Sequence, residues 1–453
     1  MIYSFKARDL RSRLEFDIEL VKDKRVYCFL GENGVGKTRL LENLAKALFF
    51  THMRFRKRVG DAEHGDFIPF FMNDIDLNRF NNENAVEMKL NESKIWCRKI
   101  RDELLTLSGR STRETFVVST TEGTDYYHNF PICFISAANR GYTKNLNTNP
   151  ELLSDNKTIF EKAIVASLTS MNFAAEFTSG TINNRSLADW IATRTIINPE
   201  TVSFDSRRAL AEVDLLFNIL SPLMPKELCF FDRNGAKKVR YEPKTLYVAD
   251  TPIDKLPTGV ISLMHIIQEI ISCYSAWNGV VNDKEKIEDI QQTEGIVFID
   301  EIEAHMHPKW QARIIPLLKE SFPKTTFYIA THSPAIVATT DNDEAYMLNR
   351  DGDDVTEQIL GNPRDWYLEE IFSAGFDVKL PQGKQETIED RILAFSKLAN
   401  RIVREIDEDN KVKLKHEFIE KHNELTAQFE KMPNSAKDDP RRNAVEQIWE
   451  NVQ

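Results

Sequence analysis

Long apolar runs are missing from this chain of 453 residues, and with them any segment of transmembrane length. Met1-Ile2-Tyr3-Ser4-Phe5-Lys6 opens directly in strand-like alternation, without the apolar stretch of a signal peptide. Cysteine is sparse. Cys28, Cys97, Cys133, Cys229 and Cys273 are scattered, and no two have C-x-x-C spacing. That argues against a disulfide framework or a cysteine zinc site, and the expected setting is reducing and cytoplasmic. A surplus of positive charge is absent too: 59 Lys and Arg face 70 Asp and Glu, a net charge of −11. An acidic average argues against a protein that coats nucleic acid, though not against a local basic groove. One basic cluster exists, Arg54, Arg56, Lys57 and Arg58. It reads equally as a solvated helix end whose cations oppose the helix dipole. No repeat of solenoid period and no low-complexity tract is present. The length suits one elaborated domain or a few smaller ones.

Against these absences stands one complete motif. Gly31-Glu32-Asn33-Gly34-Val35-Gly36-Lys37-Thr38 fits G-x-x-x-x-G-K-[ST] without a mismatch. Before it, Arg25-Val26-Tyr27-Cys28-Phe29-Leu30 suits a buried strand. After it, Leu40, Leu41, Leu44, Ala47 and Leu48 form one helical stripe. A strand–loop–helix junction is the context that makes the motif a P-loop rather than a glycine-rich turn. Glycines let the backbone wrap a phosphate chain, and loop N–H groups and the helix N-terminus face its charge. Lys37 is placed to reach the β- and γ-phosphates and Thr38 to hold Mg²⁺.

The spacing predicts strands over 2–7, 14–20 and 132–136, and an irregular polar stretch over 51–130. Helices are predicted over 159–171, 187–197, 207–223 and 260–276. Asp232-Arg233-Asn234-Gly235 predicts a turn between strands at 228–231 and 238–248. Two buried strands, 295–299 and 326–329, flank a helix over 309–321, the pattern of a parallel β-α-β unit. Two longer amphipathic helices and a short terminal one are predicted in the tail beyond 382.

Ile296-Val297-Phe298-Ile299-Asp300-Glu301 ends an apolar strand in two acids. Beside a P-loop, Asp300 is placed to hold Mg²⁺ and Glu301 to act as general base on an attacking water. The plain alternative is a strand ending in a solvated acidic turn. Ile329-Ala330-Thr331-His332-Ser333 follows one helix and one strand later. His332 is positioned to sense a γ-phosphate, or is an ordinary turn residue.

Together these segments resemble the ABC-type ATPases, specifically the RecF/SMC/OLD-like, AAA-labelled bacterial branch. The resemblance covers the first 50 residues and roughly 250–380. "MIYSFKARDLRSRLEFDIEL" is similar to the branch's opening strands, "FIDEIEAHMHPKWQ" to its Walker B and D-loop, and "FYIATHSPAIV" to its His switch. "RDWYLEEIFSAGF" resembles a segment that follows the switch. The likeness puts Glu303–His305 in a D-loop at a dimer interface. This suits His305 and His307 better than an H-x-H metal site, for which no third ligand stands near. The family's signature turn corresponds to Leu256-Pro257-Thr258-Gly259-Val260-Ile261. Thr258 and Gly259 match it and would contact nucleotide bound by a second subunit. Pro257 and Val260 depart from it, and Pro257 offers neither N–H nor hydroxyl. Thr258 reads also as a simple helix cap. Slow hydrolysis is the expectation. No glutamine stands where the family has its Q-loop, and Asn139 or Arg140 is the nearest substitute.

The resemblance implies an α/β fold, a P-loop NTPase of ABC-ATPase head type with a helical insertion and a C-terminal helical tail. Residues 1–140 and 246–381 form the expected head, 141–245 the insertion and 382–453 the tail, a candidate partner-binding hairpin. The implied cofactors are ATP and Mg²⁺. The expected site comprises Glu301, His332 and Lys37 as catalytic residues, and Gly31, Glu32, Asn33, Gly34, Val35, Gly36, Lys37, Thr38, Thr258 and Gly259 as nucleotide-binding ones. Thr38 and Asp300 are the expected metal ligands.

In size and layout the chain resembles ATPase subunits of bacterial anti-phage systems, of the Septu and retron PtuA type, with PARIS-type ATPases a close alternative. That implies a homodimer or higher homo-oligomer controlling a separate effector, a nuclease of HNH or Toprim type. Nucleic acid would be reached through the complex, and no membrane is involved. The chain itself carries no nuclease constellation: Asp351-Gly352-Asp353-Asp354 reads as a turn between strands. The alternative is a RecF/SMC-like DNA-binding ATPase of DNA repair, which requires a basic face.

Overall fold

The computed structural model describes residues 2–9, 12–50, 86–90, 93–106, 109–120, 130–137, 140, 187–195, 204–242, 245–278, 288–365, 371, 388–405, 407–430 and 440–452. Several expectations therefore lie outside the described residues: the helix over 159–171, the cluster at Arg54, Arg56, Lys57 and Arg58, Asn139, and most of 366–376. The chain forms two compact units, Met1–Asp377 and Val378–Gln453.

The strands of the first unit are β1 (Ile2–Arg8), β2 (Glu15–Glu19), β3 (Val26–Leu30), β4 (Val86–Leu90), β5 (Ser93–Thr106), β6 (Gly109–Thr120), β7 (Ile132–Ile135), β8 (Val239–Glu242), β9 (Thr245–Val248), β10 (Thr251–Pro252), β11 (Gly295–Ile299), β12 (Thr325–Ala330), β13 (Ala345–Asp351) and β14 (Asp354–Ile359). Eleven of them make one sheet in the order β6-β5-β4-β1-β2-β14-β13-β3-β12-β11-β7. Its centre, β13-β3-β12-β11-β7, is parallel. From β1 to β6 the pairing is antiparallel.

β3, β7, β11 and β12 are buried at every position because both faces are covered. On β3, Val26, Cys28 and Leu30 enter one core cluster, together with Val297 and Ile299 of β11 and the helix Thr258–Trp277. Tyr27 and Phe29 point the other way, into a second cluster with Ile296, Phe298 and Leu40, Leu41, Leu44 and Leu48 of the helix Lys37–Phe50. On that second face Tyr27 stacks on Tyr328 at 4.9 Å, and Tyr328 on Phe298 at 5.1 Å. Buried tyrosines need a polar partner. The Tyr328 hydroxyl accepts from the Ile2 N–H at 2.9 Å, and that of Tyr346 from the Val21 N–H at 3.0 Å. These bonds tie the antiparallel strands to the parallel centre.

Two local expectations need correction. Residues 51–130 are not irregular throughout, since β4, β5 and β6 extend the sheet from β1. Their charged sequences carry little period-two apolar signal, whereas ladder pairing is made by main-chain groups that any sequence supplies. The hairpin expected around Asp232-Arg233-Asn234-Gly235 is reduced to an isolated bridge, Phe231 to Lys237. The regular ladder lies one turn later, between β8 and β9. Asp232 Oδ1 accepts from the Asn234 and Ala236 N–H groups, and main-chain bonds from Asp232 N–H to Ala236 O at 2.8 Å and from Gly235 N–H to Asp232 O at 3.1 Å close the turn with it.

Within 141–245, the helices Leu187–Thr195 and Phe204–Leu220 send Leu187, Trp190, Ile191, Leu216 and Phe217 into the cluster that holds Val297 and Ile299. A buried Arg194 Nε donates to Glu212 at 2.7 Å, and Ser275 Oγ donates to the other Glu212 oxygen. This part of the chain shares the sheet's core.

The second unit holds the helices Ile388–Arg404, Glu408–Glu430 and Pro440–Glu450. Phe395 stacks on Phe418 at 4.3 Å, Phe418 on Trp449 at 5.4 Å, and His422 on Trp449 at 3.9 Å. The acidic run at 407–409 opens the second helix: Asp407 Oδ1 accepts from the Asp409 N–H at 3.0 Å, and the acids suit the helix's positive end.

Candidate nucleotide site

Parallel register brings the motif ends to one edge. Ala330 pairs with Phe29, and Ile299 with Ile329. The segments that follow these strands, Gly31–Thr38, Asp300-Glu301 and Thr331-His332, therefore leave the sheet side by side. Open α/β sheets bind ligands at this carboxyl edge.

The P-loop glycines are used. Gly31, Gly34 and Gly36 have φ of +145°, +83° and +110°, a region that side chains disfavour. A Cβ on Gly31 would stand 2.9 Å from Leu348 O, and one on Gly36 2.7 Å from Leu14 Cδ1. Lys37 is buried and curls back over the loop, donating from Nζ to Gly31 O at 2.8 Å and Glu32 O at 2.9 Å. Arg350 Nη1 donates to Gly34 O at 3.2 Å from the exposed side. At the start of the helix, Arg39 pairs with both Asp9 and Glu42, and Asn43 donates to Asp9 at 2.8 Å, so the loop stands on a buried polar clamp.

Thr38 Oγ1 lies 3.0 Å from each carboxylate oxygen of Asp300. A hydroxyl and a carboxylate on separate elements make an all-oxygen pair of the kind Mg²⁺ takes. Burial raises the Asp300 carboxyl to about 6, against the opposing Thr38 hydrogen bond. Burial lowers the Lys37 ammonium to about 8, with Glu303, Asp300 and Glu301 opposing that shift. It lowers the His332 imidazole too, and Lys37 adds to this. His332 is thus a neutral hydrogen-bonding group near pH 7.

Glu301 is exposed, with φ of +44°. Glu303 takes a part that sequence reasoning missed. Its carboxylate accepts from Thr331 Oγ1 at 2.7 Å and from the His332 N–H, tying the acidic turn to the histidine loop. The spacing Glu301-x-Glu303 was the available signal, but only the register of β11 against β12 shows what the second acid meets. His307 caps the helix Pro308–Ser321, accepting from the Lys309 N–H at 3.2 Å. Among the described residues no cluster of His, Cys, Asp and Glu has metal-site geometry.

Thr258 and Gly259 stand apart from these groups, with no hydrogen bond to them among the described residues. Thr258 is exposed and is the first helical residue; the cap position belongs to Pro257, which makes no side-chain capping bond. Proline's fixed φ suits that entry, so Thr258 is not the cap. Gly259 is needed within its own chain: a Cβ there would lie 2.6 Å from His305 O and 2.7 Å from Trp310. Arg140 sits behind the acids, donating from Nη2 to Asp300 O at 2.8 Å and to Glu301 O.

The strand bearing Thr331-His332 lies between the P-loop strand and the acid-bearing strand, and antiparallel strands extend the sheet on the β1 side. The fold is α/β, with the P-loop motif at the carboxyl edge of a mixed sheet. Residues 287–338 match the family model described as "AAA domain, putative AbiEii toxin, Type IV TA system". The chain is 39% identical over 79 residues to "Retron Ec83 probable ATPase" of Escherichia coli, covering 17% of this chain and 15% of that protein. It is 34% identical over 130 residues to the Septu protein PtuA of Bacillus thuringiensis, covering 28% of this chain and 31% of that one. The matched stretches thus span less than a third of either relative. An SMC head domain from Thermotoga maritima aligns with 79% of this chain and 98% of its own, at 14% identity and a TM-score of 0.32. Among the described residues no helix is long and apolar enough to cross a membrane.

Proposed function

We propose that this chain binds and hydrolyses ATP with Mg²⁺, closing head to head as a dimer around the nucleotide, and that its state controls a separate effector nuclease in anti-phage defence. The observation that carries the reading is the Thr38–Asp300 pair, both oxygens at 3.0 Å, beside a P-loop whose lysine is already folded over the phosphate path. Sequence likeness to the Septu and retron proteins supports the defence context.

Mg²⁺ on Thr38 and Asp300 would neutralise phosphate charge. Lys37 would leave the Gly31 and Glu32 carbonyls for phosphate oxygens, exchanging two neutral acceptors for charged ones. Glu301, exposed and one residue beyond Asp300, would take the proton of the attacking water. His332 would donate a hydrogen bond on the γ-phosphate side. The partner subunit's copy of Thr258, on an exposed helix start, would complete the closed state. With proline before it, that contact is weak, which suits a slow switch.

Metal binding needs the Asp300 carboxylate, and protonation competes with it. Because Asp300 sits at about 6, apparent Mg²⁺ affinity is expected to fall about tenfold from pH 7 to pH 5. Titration of Mg²⁺ into the ATP-bound protein at several pH values reads this directly.

The reading is tested by ATP turnover on the purified chain, alone and with the products of adjacent reading frames. Slow turnover that changes when a nuclease chain joins supports it. Fast turnover unaltered by any neighbour overturns the regulatory part. DNA binding by the chain alone that collapses with added salt would instead favour a DNA-clamping ATPase.

A further inference from the structure

Arg140 is 3% exposed and stands at the sheet's carboxyl edge, beyond the end of β7. It spends one nitrogen, Nη2, on two successive main-chain carbonyls, Asp300 O and Glu301 O. Its Nε and Nη1 are buried, with no hydrogen-bond partner among the described residues. A buried guanidinium with unused donors is costly. An amide side chain could hold two carbonyls without that cost, so a purely structural clamp does not explain an arginine here. Burial lowers its guanidinium to about 10, and Asp300, Glu303 and Glu301 oppose that shift.

What it holds is unusual. Glu301 is a non-glycine residue at φ +44°, and such a conformation persists only where neighbours impose it. Arg140 bonds the carbonyls of the two successive peptides that flank the Glu301 Cα, Asp300 O before it and Glu301 O after it. β7 pairs with β11 in parallel, and the Asp300 N–H donates to Ile135 O at 2.9 Å, so the loop after β7 is anchored beside this turn.

We propose that Arg140 is a positioning residue for Glu301: through the Asp300 and Glu301 carbonyls it fixes the left-handed turn that orients the Glu301 carboxylate over the site. The inference rests on the ATPase reading above. It assigns to an arginine in the loop after β7 a part in turnover that the P-loop, the acidic turn and the histidine do not supply.

The test is steady-state and single-turnover kinetics of Arg140→Ala, Arg140→Lys and Glu301→Gln, with the double variant Arg140→Ala/Glu301→Gln. Binding of a fluorescent ATP analogue and thermal unfolding are measured in parallel. Arg140→Ala is expected to lower kcat by about 10–100-fold while KM and analogue affinity stay within about threefold. Arg140→Lys, which keeps the charge and a donor but not the fork, recovers part of the loss. In the double variant, removing Arg140 adds little to the loss from Glu301→Gln, because the two act as one unit. Losses that multiply in the double variant, or a fall in analogue affinity as large as the fall in kcat, overturn the proposal. Wild-type turnover in Arg140→Ala does so as well. If Arg140→Ala does not fold, the same cycle on Arg140→Lys decides. Absence of turnover in the wild type would instead count against the ATPase reading itself.

Discussion

Glu301→Gln is expected to cut ATP turnover by about 10²–10⁴-fold, the usual contribution of a general base, while leaving nucleotide binding intact. The substitution preserves shape and the main-chain bonds from Arg140, which involve the carbonyl and not the side chain. It removes only the capacity to accept a proton. Asp300, one residue earlier, keeps its 3.0 Å relation to Thr38, so the metal pair survives. Because the closed dimer would be held by ATP and released by its hydrolysis, the variant should accumulate as an ATP-dependent dimer. Light scattering with and without ATP-Mg²⁺ reads this. A Glu301→Gln protein that binds ATP yet stays monomeric would sink the two-headed sandwich.

Lys37→Ala should act at the preceding step and abolish measurable nucleotide binding. Each charge-assisted bond from the ammonium to phosphate contributes about 1.5–3 kcal/mol, so losing two corresponds to at least a hundredfold in affinity. The unliganded fold should tolerate the change. Burial holds the Lys37 ammonium at about 8, below its ordinary 10.5. A lysine with a lowered folded pKa penalises the folded state below that pKa, and the penalty fades as pH rises through about 8 toward 10.5. At pH 7 the alanine variant therefore loses two carbonyl contacts and also loses a desolvated charge. Its melting temperature without ATP should change little, whereas the stabilisation that ATP gives the wild type should vanish. A variant that still gains stability from ATP would show that the loop amides alone hold the phosphates.

How much was legible beforehand depended on where the physics is local. The P-loop could be read because strand, glycine loop and helix are contiguous, and the loop's glycine requirement is written in the residues themselves. Asp300 and His332 could be read because each closes an apolar strand. The strands β4 to β6 were not legible, since main-chain ladders impose little on charged side chains. Glu303 was assigned by family likeness to an interface, but its carboxylate bonds Thr331 and His332, a contact made by strand register across 28 residues. Gly259 was read for a contact with another subunit, yet the close approach of His305 O already demands it. Arg140 was only a stand-in for a missing glutamine until its bonds to the acidic turn were visible.

By itself, then, the sequence determined that a loop of P-loop pattern joins an early strand to a helix and that acids and a histidine follow later apolar strands. Those are properties of short contiguous segments, where period and residue type suffice. Tertiary structure alone decided that the three segments share one edge, that Thr38 meets Asp300, and that Arg140 and Glu303 brace the turn between them. Such contacts join residues from 28 to 262 positions apart, and only the order and register of the sheet can bring them within bonding distance.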